Sequence, residues 1–126
     1  MLTVLPIQSK ETQKELCELC GVTYNQESFA YRADDDGFIG ICQFKYSNNN
    51  GYINALAYAP SVSDWEAMII MLRATMNFMY RCGIQLCYFE SNAVCDELIS
   101  KSGFLKNEND QYYIDLVKFY TGSCHH

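Results

Sequence analysis

Residues 52–90 read YINALAYAPSVSDWEAMIIMLRATMNFMYRCGIQLCYFE, and their hydrophobic period changes twice. Residues 52–59 and 84–90 have the short apolar runs that are typical of β-strands. Between them, residues 64–82 carry apolar side chains at helical spacing, and Gly83 follows as a C-terminal stop signal. Because apolar side chains cover most of this helix, we expect it to pack on both sides, against a sheet and a further element.

The first turn of this helix contains a side-chain cap. Ser63 and Glu66 have the spacing of a capping box, in which the Ser63 hydroxyl accepts from the backbone N–H of Glu66. The Glu66 carboxylate in turn accepts from the N–H of Ser63. The pattern therefore predicts that Ser63 caps the helix, in a turn that also contains the acidic Asp64.

The flanking segments extend this alternation of strands and helices. Turn residues at 34–37 and 48–51 favour an antiparallel meander of the strands at 27–33, 38–46 and 52–59. The remaining predicted elements are a strand at 2–7, helices at 9–20 and 92–102, and strands at 104–106 and 112–120. This order, β-α-β-β-β-α-β-α-β-β, predicts an α/β (α+β) fold with a mixed, mostly antiparallel sheet of about six to seven strands and about three helices. We expect one domain over residues 1–121 and a C-terminal tail at 122–126.

Composition excludes several classes of function. A formal charge of −6 argues against nucleic-acid binding and against docking on anionic membranes, because both need a basic surface. The N-terminal residues do not resemble a secretory signal, and no apolar run reaches the roughly 18 residues that a membrane span needs. We therefore expect a cytoplasmic protein whose seven cysteines are reduced.

Metal chemistry has little support in the sequence. Cys17 and Cys20 form a C-x-x-C pair, which is either a metal or redox half-site or a pair of core side chains in the first helix. His125 and His126, the only histidines, are either native or the remnant of a tag. The acidic run at residues 34–36 precedes a glycine and favours a hairpin turn over a calcium loop. We expect no metal site.

Two segments resemble the GNAT acyltransferase superfamily. Residues 56–60, LAYAP, end an apolar strand in Ala-x-Ala-Pro, and residues 92–104 are similar to the family segment N-x-x-A-x-x-[FL]-Y-x-K-x-G-F. Together with the order of elements, the resemblance spans nearly the whole chain. It implies the GNAT fold and, nominally, an acyl-CoA-dependent N-acetyltransferase that acts on a small-molecule amine or a peptide.

Three positions depart from the family pattern. GNAT enzymes hold the pyrophosphate of acetyl-CoA on a glycine-rich loop, whereas residues 63–68 contain no glycine and two acidic residues. Asn54 is the nearest match to a glutamate that relays a proton from the amine in many members. Ile99 stands where many members have a tyrosine that protonates the CoA thiolate.

The resemblance also implies a set of site residues. The backbone of Leu56, Ala57 and Tyr58 would pair with the pantetheine of acetyl-CoA or another acyl-CoA. The remaining implied cofactor contacts are Val62, Ser63, Asp64 and Asn92, and the catalytic candidates are Asn54, Tyr58 and Tyr88. The alternative is a non-catalytic GNAT-fold module that binds a ligand or another protein. In either case an exposed sheet edge would allow a homodimer.

Overall fold

The computed structural model describes residues 1–90 and 96–122, which contain seven strands and four helices. In chain order these are β1 (Thr3–Pro6), α1 (Lys10–Leu19), β2 (Phe29–Asp34), β3 (Phe38–Ser47), β4 (Asn50–Tyr58), α2 (Trp65–Arg81), β5 (Leu86–Phe89), α3 (Asp96–Lys101), β6 (Leu105–Lys106), β7 (Tyr112–Asp115) and α4 (Leu116–Thr121). The first four residues of the helix predicted at 92–102 lie outside the described residues. No helix of the described ranges is long and apolar enough to cross a membrane.

The strands form one sheet in the order β1-β2-β3-β4-β5-β7-β6. Every neighbouring pair is antiparallel except β4 and β5, which run parallel. Parallel neighbours need a crossover connection, and α2 supplies it by returning the chain from the end of β4 to the start of β5. The predicted mixed, mostly antiparallel sheet is therefore confirmed.

The two faces of the sheet pack against different helices. The first, called here the α2 face, carries the main core cluster, which includes Phe44, Ile53 and Leu56, and α2, α3 and α4 pack on this side. The opposite face, called here the α1 face, carries a smaller cluster in which Cys17 of α1 packs against Ala30 and Ile41. α2 also contacts α3 and α4, but one stripe of its surface, which includes Ile70, Arg73 and Asn77, is exposed, so it packs against the sheet and the helices beside it and not on every side.

The methionine side chains of α2 lie close against two strands. A Cβ atom at Gly40 would lie 2.8 Å from Met68 Sδ and 2.6 Å from the Ala57 carbonyl oxygen. A Cβ at Gly51 would lie 2.5 Å from Met79 Sδ. Both glycines therefore let α2 approach the centre of the sheet more closely than a larger residue would allow.

The predicted cap of α2 is wrong by one residue. The N-cap is Asp64, whose Oδ1 accepts from the backbone N–H of Ala67 at 3.1 Å. Ser63 precedes the cap, so the capping box with Glu66 does not form. Serine and aspartate cap helices about equally well, and local spacing alone could not decide between adjacent candidates.

The prediction of a strand over residues 112–120 is wrong in its second half. The strand ends at Asp115, whose carboxylate accepts from the N–H of Lys118 at 3.1 Å and so caps α4. Aromatic and β-branched residues in this stretch favoured a strand. The cap at Asp115 and the left-handed Gly122 (φ 67°) instead define one short helix, and the structure has four helices over the described residues where about three were expected.

Candidate active site

β4 contains a β-bulge at Asn54. Gln43 of β3 is paired with Ala55, and the next β3 residue, Phe44, is paired with Ile53, so Asn54 is the extra residue of β4. A bulge bends its strand and increases the local twist. The bulge therefore turns β4 at the centre of the predicted site.

The parallel strands separate immediately after this point. Their pairing ends where Ile53 lies opposite Phe89, and the Glu90 N–H then donates to the Ile53 carbonyl at 2.8 Å. From Ala55 to Tyr58, β4 pairs with β3 on one side. On the other side, Ala55, Leu56 and Ala57 have no strand partner within residues 1–90 and 96–122. Residues 55–57 of β4 thus have an open backbone edge.

A cleft of about 330 Å³ lies at this end of β4. The described residues that line it come from β4, α2 and α3 and are Tyr58, Trp65, Glu97, Leu98 and Lys101. Small-molecule sites commonly have volumes of a few hundred Å³. Because Tyr58 is the last residue of β4 and Trp65 the first of α2, the cleft lies beside the two segments predicted to bind the cofactor, and Tyr58 is the predicted residue among those that line it.

Lys101 contributes the positive charge of the cleft. Its Nζ lies 3.2 Å from Glu97 Oε1 and 5.1 Å from the centre of the Trp65 ring. The Trp65 side chain is 48% exposed, and the side chains of Lys101 and Glu97 are 54% and 71% exposed. An ion pair this exposed contributes little to stability. Lys101 can therefore turn from Glu97 toward an anionic ligand at little cost.

The N-terminus of α2 is acidic. A helix N-terminus attracts anions through its free N–H groups and its dipole. Here the Asp64 carboxylate already accepts the Ala67 N–H, and the exposed Glu66 adds a second negative charge in the first turn. Of the two preceding residues, Val62 packs against the core and Ser63 is exposed. This segment is a weaker phosphate site than a glycine-rich loop would be.

Asn54 belongs to a polar network on the α1 face. Its Oδ1 accepts from Gln43 Nε2 at 2.9 Å, and its Nδ2 donates to Ser28 Oγ at 2.8 Å. Both ends of the amide are therefore held by protein partners. In this arrangement Asn54 fixes the bulge and is not among the residues that line the cleft.

Gln43 is the centre of that network and is almost fully buried. Its Oε1 accepts from Gln13 Nε2 at 2.9 Å and from the Asn25 N–H at 3.0 Å. Its Nε2 donates to the Thr23 carbonyl at 3.0 Å as well as to Asn54. One side chain thus ties α1 and the loop after it to the bulged part of β4.

The other predicted residues are distributed over both faces. Tyr58 lines the cleft, whereas Tyr88 lies on the α1 face, where its ring stacks on Tyr52 at 5.8 Å between ring centres. The side chain of Leu56 is buried in the core, so only its backbone is open to a ligand. Ala57 is partly exposed on the α1 face, and Asn92 lies outside the described residues. Tyr58 and Tyr88 are therefore not brought together.

Four of the lining residues were not predicted: Trp65, Glu97, Leu98 and Lys101. The last three belong to the segment that resembles the GNAT pattern, and Lys101 is the lysine of its K-S-G-F end. The i, i+4 spacing of Glu97 and Lys101 is the signal that predicts an ion pair on a helix. Nothing in that spacing indicates that the pair faces the N-terminus of α2.

The C-x-x-C pair is part of the packing of α1. Cys17 is fully buried, and its Sγ donates to Gln43 Oε1 at 3.4 Å. Burial raises the pKa of Cys17 and of Cys20 to about 11, with a smaller contribution from Glu18 at Cys17 and from Cys17 at Cys20. Reactive redox thiols have the opposite shift. Within the described ranges, no three metal-ligating side chains come together.

No protein-family model matches the sequence, and no curated protein matches it. Solved structures do match, and eight of these are acetyltransferases or putative acetyltransferases, one of them described as a member of the GNAT family. The chain therefore has the GNAT fold.

Three of these structures illustrate the match. The spermidine/spermine N-acetyltransferase of Vibrio cholerae gives a TM-score of 0.73 at 12% identity, over 97% of this chain and 96% of that one. The IAA acetyltransferase of Bacillus cereus gives 0.70 at 21% identity, over 86% and 79%. The ribosomal-protein-S18-alanine N-acetyltransferase of Escherichia coli gives 0.65 at 9% identity, over 90% and 89%. At these identities the likeness establishes the fold.

Proposed function

We propose that the protein is an acyl-CoA-dependent N-acyltransferase, with acetyl-CoA as the first donor to test and a small-molecule amine or a peptide as acceptor. The observation that carries this proposal is the position of the cleft. It lies beside Tyr58, at the far end of the stretch of β4 that follows the separation from β5, and beside the start of the helix that connects the two strands. The resemblance to GNAT enzymes implies that the donor binds at this place.

The open edge of β4 has the geometry to hold the pantetheine arm. Leu56 and Ala57 pair with β3 on one side, and the amide groups of pantetheine can add to the other side as an extra strand does. Tyr58, which lines the cleft at the end of this stretch, is proposed as the third contact. The thioester then comes close to the bulge at Asn54. Asn92, three residues after the end of β5 in the chain, is proposed to contact the same arm.

The phosphates of the donor are proposed to lie along Val62, Ser63 and Asp64. The positive charge of Lys101 in the cleft attracts the phosphates, whereas the negative charge of Asp64 repels them. We therefore expect CoA to bind more weakly than it would to a glycine-rich loop. Trp65 offers an aromatic face next to the same phosphates.

Catalysis in this proposal depends mainly on bringing two reactants together. Holding an amine against a thioester supplies a large part of the rate enhancement without a dedicated base. The Tyr58 hydroxyl, in the wall of the cleft, is proposed to supply a proton to the departing thiolate. We further propose a single cytoplasmic domain over residues 1–121, with a tail at 122–126, that forms a homodimer.

Calorimetry with CoA and acetyl-CoA, followed by thiol release in the presence of amines, tests the proposal. We expect saturable binding by the wild type and weaker binding by Trp65→Ala. The matched control is Ile70→Ala, because Ile70 lies on the same helix, is exposed to a similar extent (50% against 48%) and does not line the cleft.

The outcomes separate the two functions that the sequence left open. Binding with turnover of an amine supports the acyltransferase. Saturable binding without turnover of any amine instead identifies a non-catalytic module. Failure to bind either ligand at millimolar concentration rejects the proposed donor site.

A further inference from the structure

A row of tyrosines crosses the α1 face of the sheet. Tyr52 of β4 is paired with Lys45 of β3 on one side and with Tyr88 of β5 on the other, and Tyr88 is paired with Tyr113 of β7. Residues paired in this way point to the same face of the sheet. The three tyrosines are all partly exposed. Tyr52 and Tyr88 are stacked with 20° between their ring planes.

Helix α1 covers a different part of this face. Its buried contacts are with Ala30 of β2 and Ile41 of β3. The helices that pack near β5 and β7 lie on the α2 face. The stacked rings of Tyr52 and Tyr88 therefore form a partly exposed aromatic surface beside α1 rather than beneath it.

Glu90 lies at the end of this surface that is closest to the strand separation. It follows β5, and its N–H donates to the Ile53 carbonyl, which places Glu90 opposite the bulge at Asn54. It stands two residues after Tyr88, on the same face of the sheet. Its carboxylate lies 3.8 Å from Lys45 Nζ, and the two side chains are 37% and 39% exposed. Such a long, exposed ion pair is easily replaced by another cation.

We infer that Lys45, Tyr52, Tyr88 and Glu90 form the acceptor subsite, and that the acceptor is a protonated primary amine attached to a planar apolar group. The inference rests on the proposed function, which puts the thioester beside the bulge. The Glu90 carboxylate binds the ammonium group in place of Lys45, and the stacked rings of Tyr52 and Tyr88 contact the planar group.

The same contact accounts for the protons of the reaction. The ammonium transfers one proton to the Glu90 carboxylate, and the freed nitrogen attacks the thioester carbonyl carbon. The new C–N bond forms as the C–S bond breaks, with its electron pair left on sulfur. The sulfur takes a proton from the Tyr58 hydroxyl as the thiol forms, Tyr58 recovers a proton from the second one that the nitrogen loses, and Glu90 returns its proton to solvent.

The test compares two amines, phenethylamine and hexylamine, with acetyl-CoA as donor. We expect Glu90→Gln to lower kcat/KM about a hundredfold for both amines and to leave CoA affinity unchanged. The matched control is Glu108→Gln, another exposed glutamate, which lies in the turn between β6 and β7 and should retain wild-type kcat/KM.

The aromatic contact has a separate set of variants. Tyr88→Leu should raise KM for phenethylamine about fivefold to tenfold while changing KM for hexylamine little. Tyr88→Phe keeps the ring and should preserve the preference for phenethylamine. Tyr113→Leu, on the side of Tyr88 away from Tyr52, should have a smaller effect than Tyr88→Leu.

Different results would refute the acceptor subsite and the proposed function. Loss of CoA binding in the wild type overturns the proposed function, and the surface is then tested by phenethylamine binding alone, measured by NMR in the wild type and in Glu90→Gln. Equal amine binding by the two proteins, or none by the wild type, refutes the subsite. Turnover that Glu90→Gln leaves intact also refutes it. A change in oligomeric state for Tyr88→Leu, with an unchanged KM for phenethylamine, would assign the surface to a second copy of the chain instead.

Discussion

At the scale of single residues, Gln43 shows how a polar side chain becomes part of a core. Sequence alone offers no reason to single out a glutamine in the middle of an apolar strand. In the structure its amide holds Gln13, the loop residues Thr23 and Asn25, and Asn54 at the bulge. Buried polar groups are costly unless all their partners are present, so the network acts as a unit.

Replacing Gln43 should therefore destabilise the fold. Gln43→Met keeps the volume but leaves the amides of Gln13 and Asn54 with unmade hydrogen bonds. We expect a loss of about 3 kcal/mol in the free energy of unfolding, measured by urea denaturation. Gln85→Met, at an exposed glutamine, is the matched control and should change stability by less than about 0.5 kcal/mol. Equal stability of the two variants would contradict a structural role for the network.

The buried thiols predict a loss of stability at alkaline pH. Burial raises the pKa of Cys17 and Cys20 to about 11 in the folded protein, from an ordinary value of 9.0. The unfolded chain therefore ionises first, and each thiol stabilises the fold below about pH 9. That contribution falls as the pH rises from about 9 to about 11.

Urea denaturation at a series of pH values measures this loss. Because tyrosines and lysines titrate in the same range, Cys20→Ala is the reference, and its free energy of unfolding should decline less steeply than that of the wild type. Parallel curves for the two proteins would show that Cys20 ionises at the same pH in the folded and the unfolded chain.

At the scale of elements, substitutions at the start of α2 distinguish the contribution of the helix cap from the contribution of charge. Asp64→Ala should cost about 1 kcal/mol in the free energy of unfolding because the Ala67 N–H loses its partner. Ser63→Ala should cost much less, since Ser63 lies outside the cap. Thermal or urea denaturation of both variants measures the difference. A larger loss in the free energy of unfolding for Ser63→Ala than for Asp64→Ala would support Ser63 as the cap instead.

Asp64→Asn tests the charge by itself. Asparagine caps helices as well as aspartate does, so the stability of this variant should stay close to that of the wild type. Removing one negative charge next to the proposed phosphate position should raise CoA affinity about threefold, measured by calorimetry. Unchanged affinity would place the phosphates elsewhere.

The errors of prediction also lie at this scale. Hydrophobic period and turn residues predicted most of the sheet and the long helix, because these patterns depend on neighbours in the chain. The exact cap of α2 and the helix after Asp115 were predicted wrongly, because each depends on which of several polar side chains reaches a backbone N–H. Pairing between strands determines which side chain caps the helix, and that pairing cannot be deduced from a single sequence.

At the scale of the whole molecule, the order of elements together with two segments that resemble the GNAT pattern predicted the fold, and the structural matches confirm it. The site was less predictable. The sequence indicated the end of β4 and the start of α2, but the bulge at Asn54, the contact of Lys101 with Trp65 and the position of Glu90 arise from sheet register and helix packing. These features join residues distant in the chain, so no local pattern encodes them.

The central claim, that the cleft at the end of β4 binds an acyl-CoA, can be measured directly by fluorescence. Trp65 is the only tryptophan of the chain and lines the cleft, so its emission reports on this site alone when tyrosine is not excited. We predict a saturable change in Trp65 emission on titration with CoA, with the same midpoint as the calorimetric binding curve. Emission that stays constant while calorimetry shows saturable binding, or the absence of any binding at millimolar CoA, would contradict the claim.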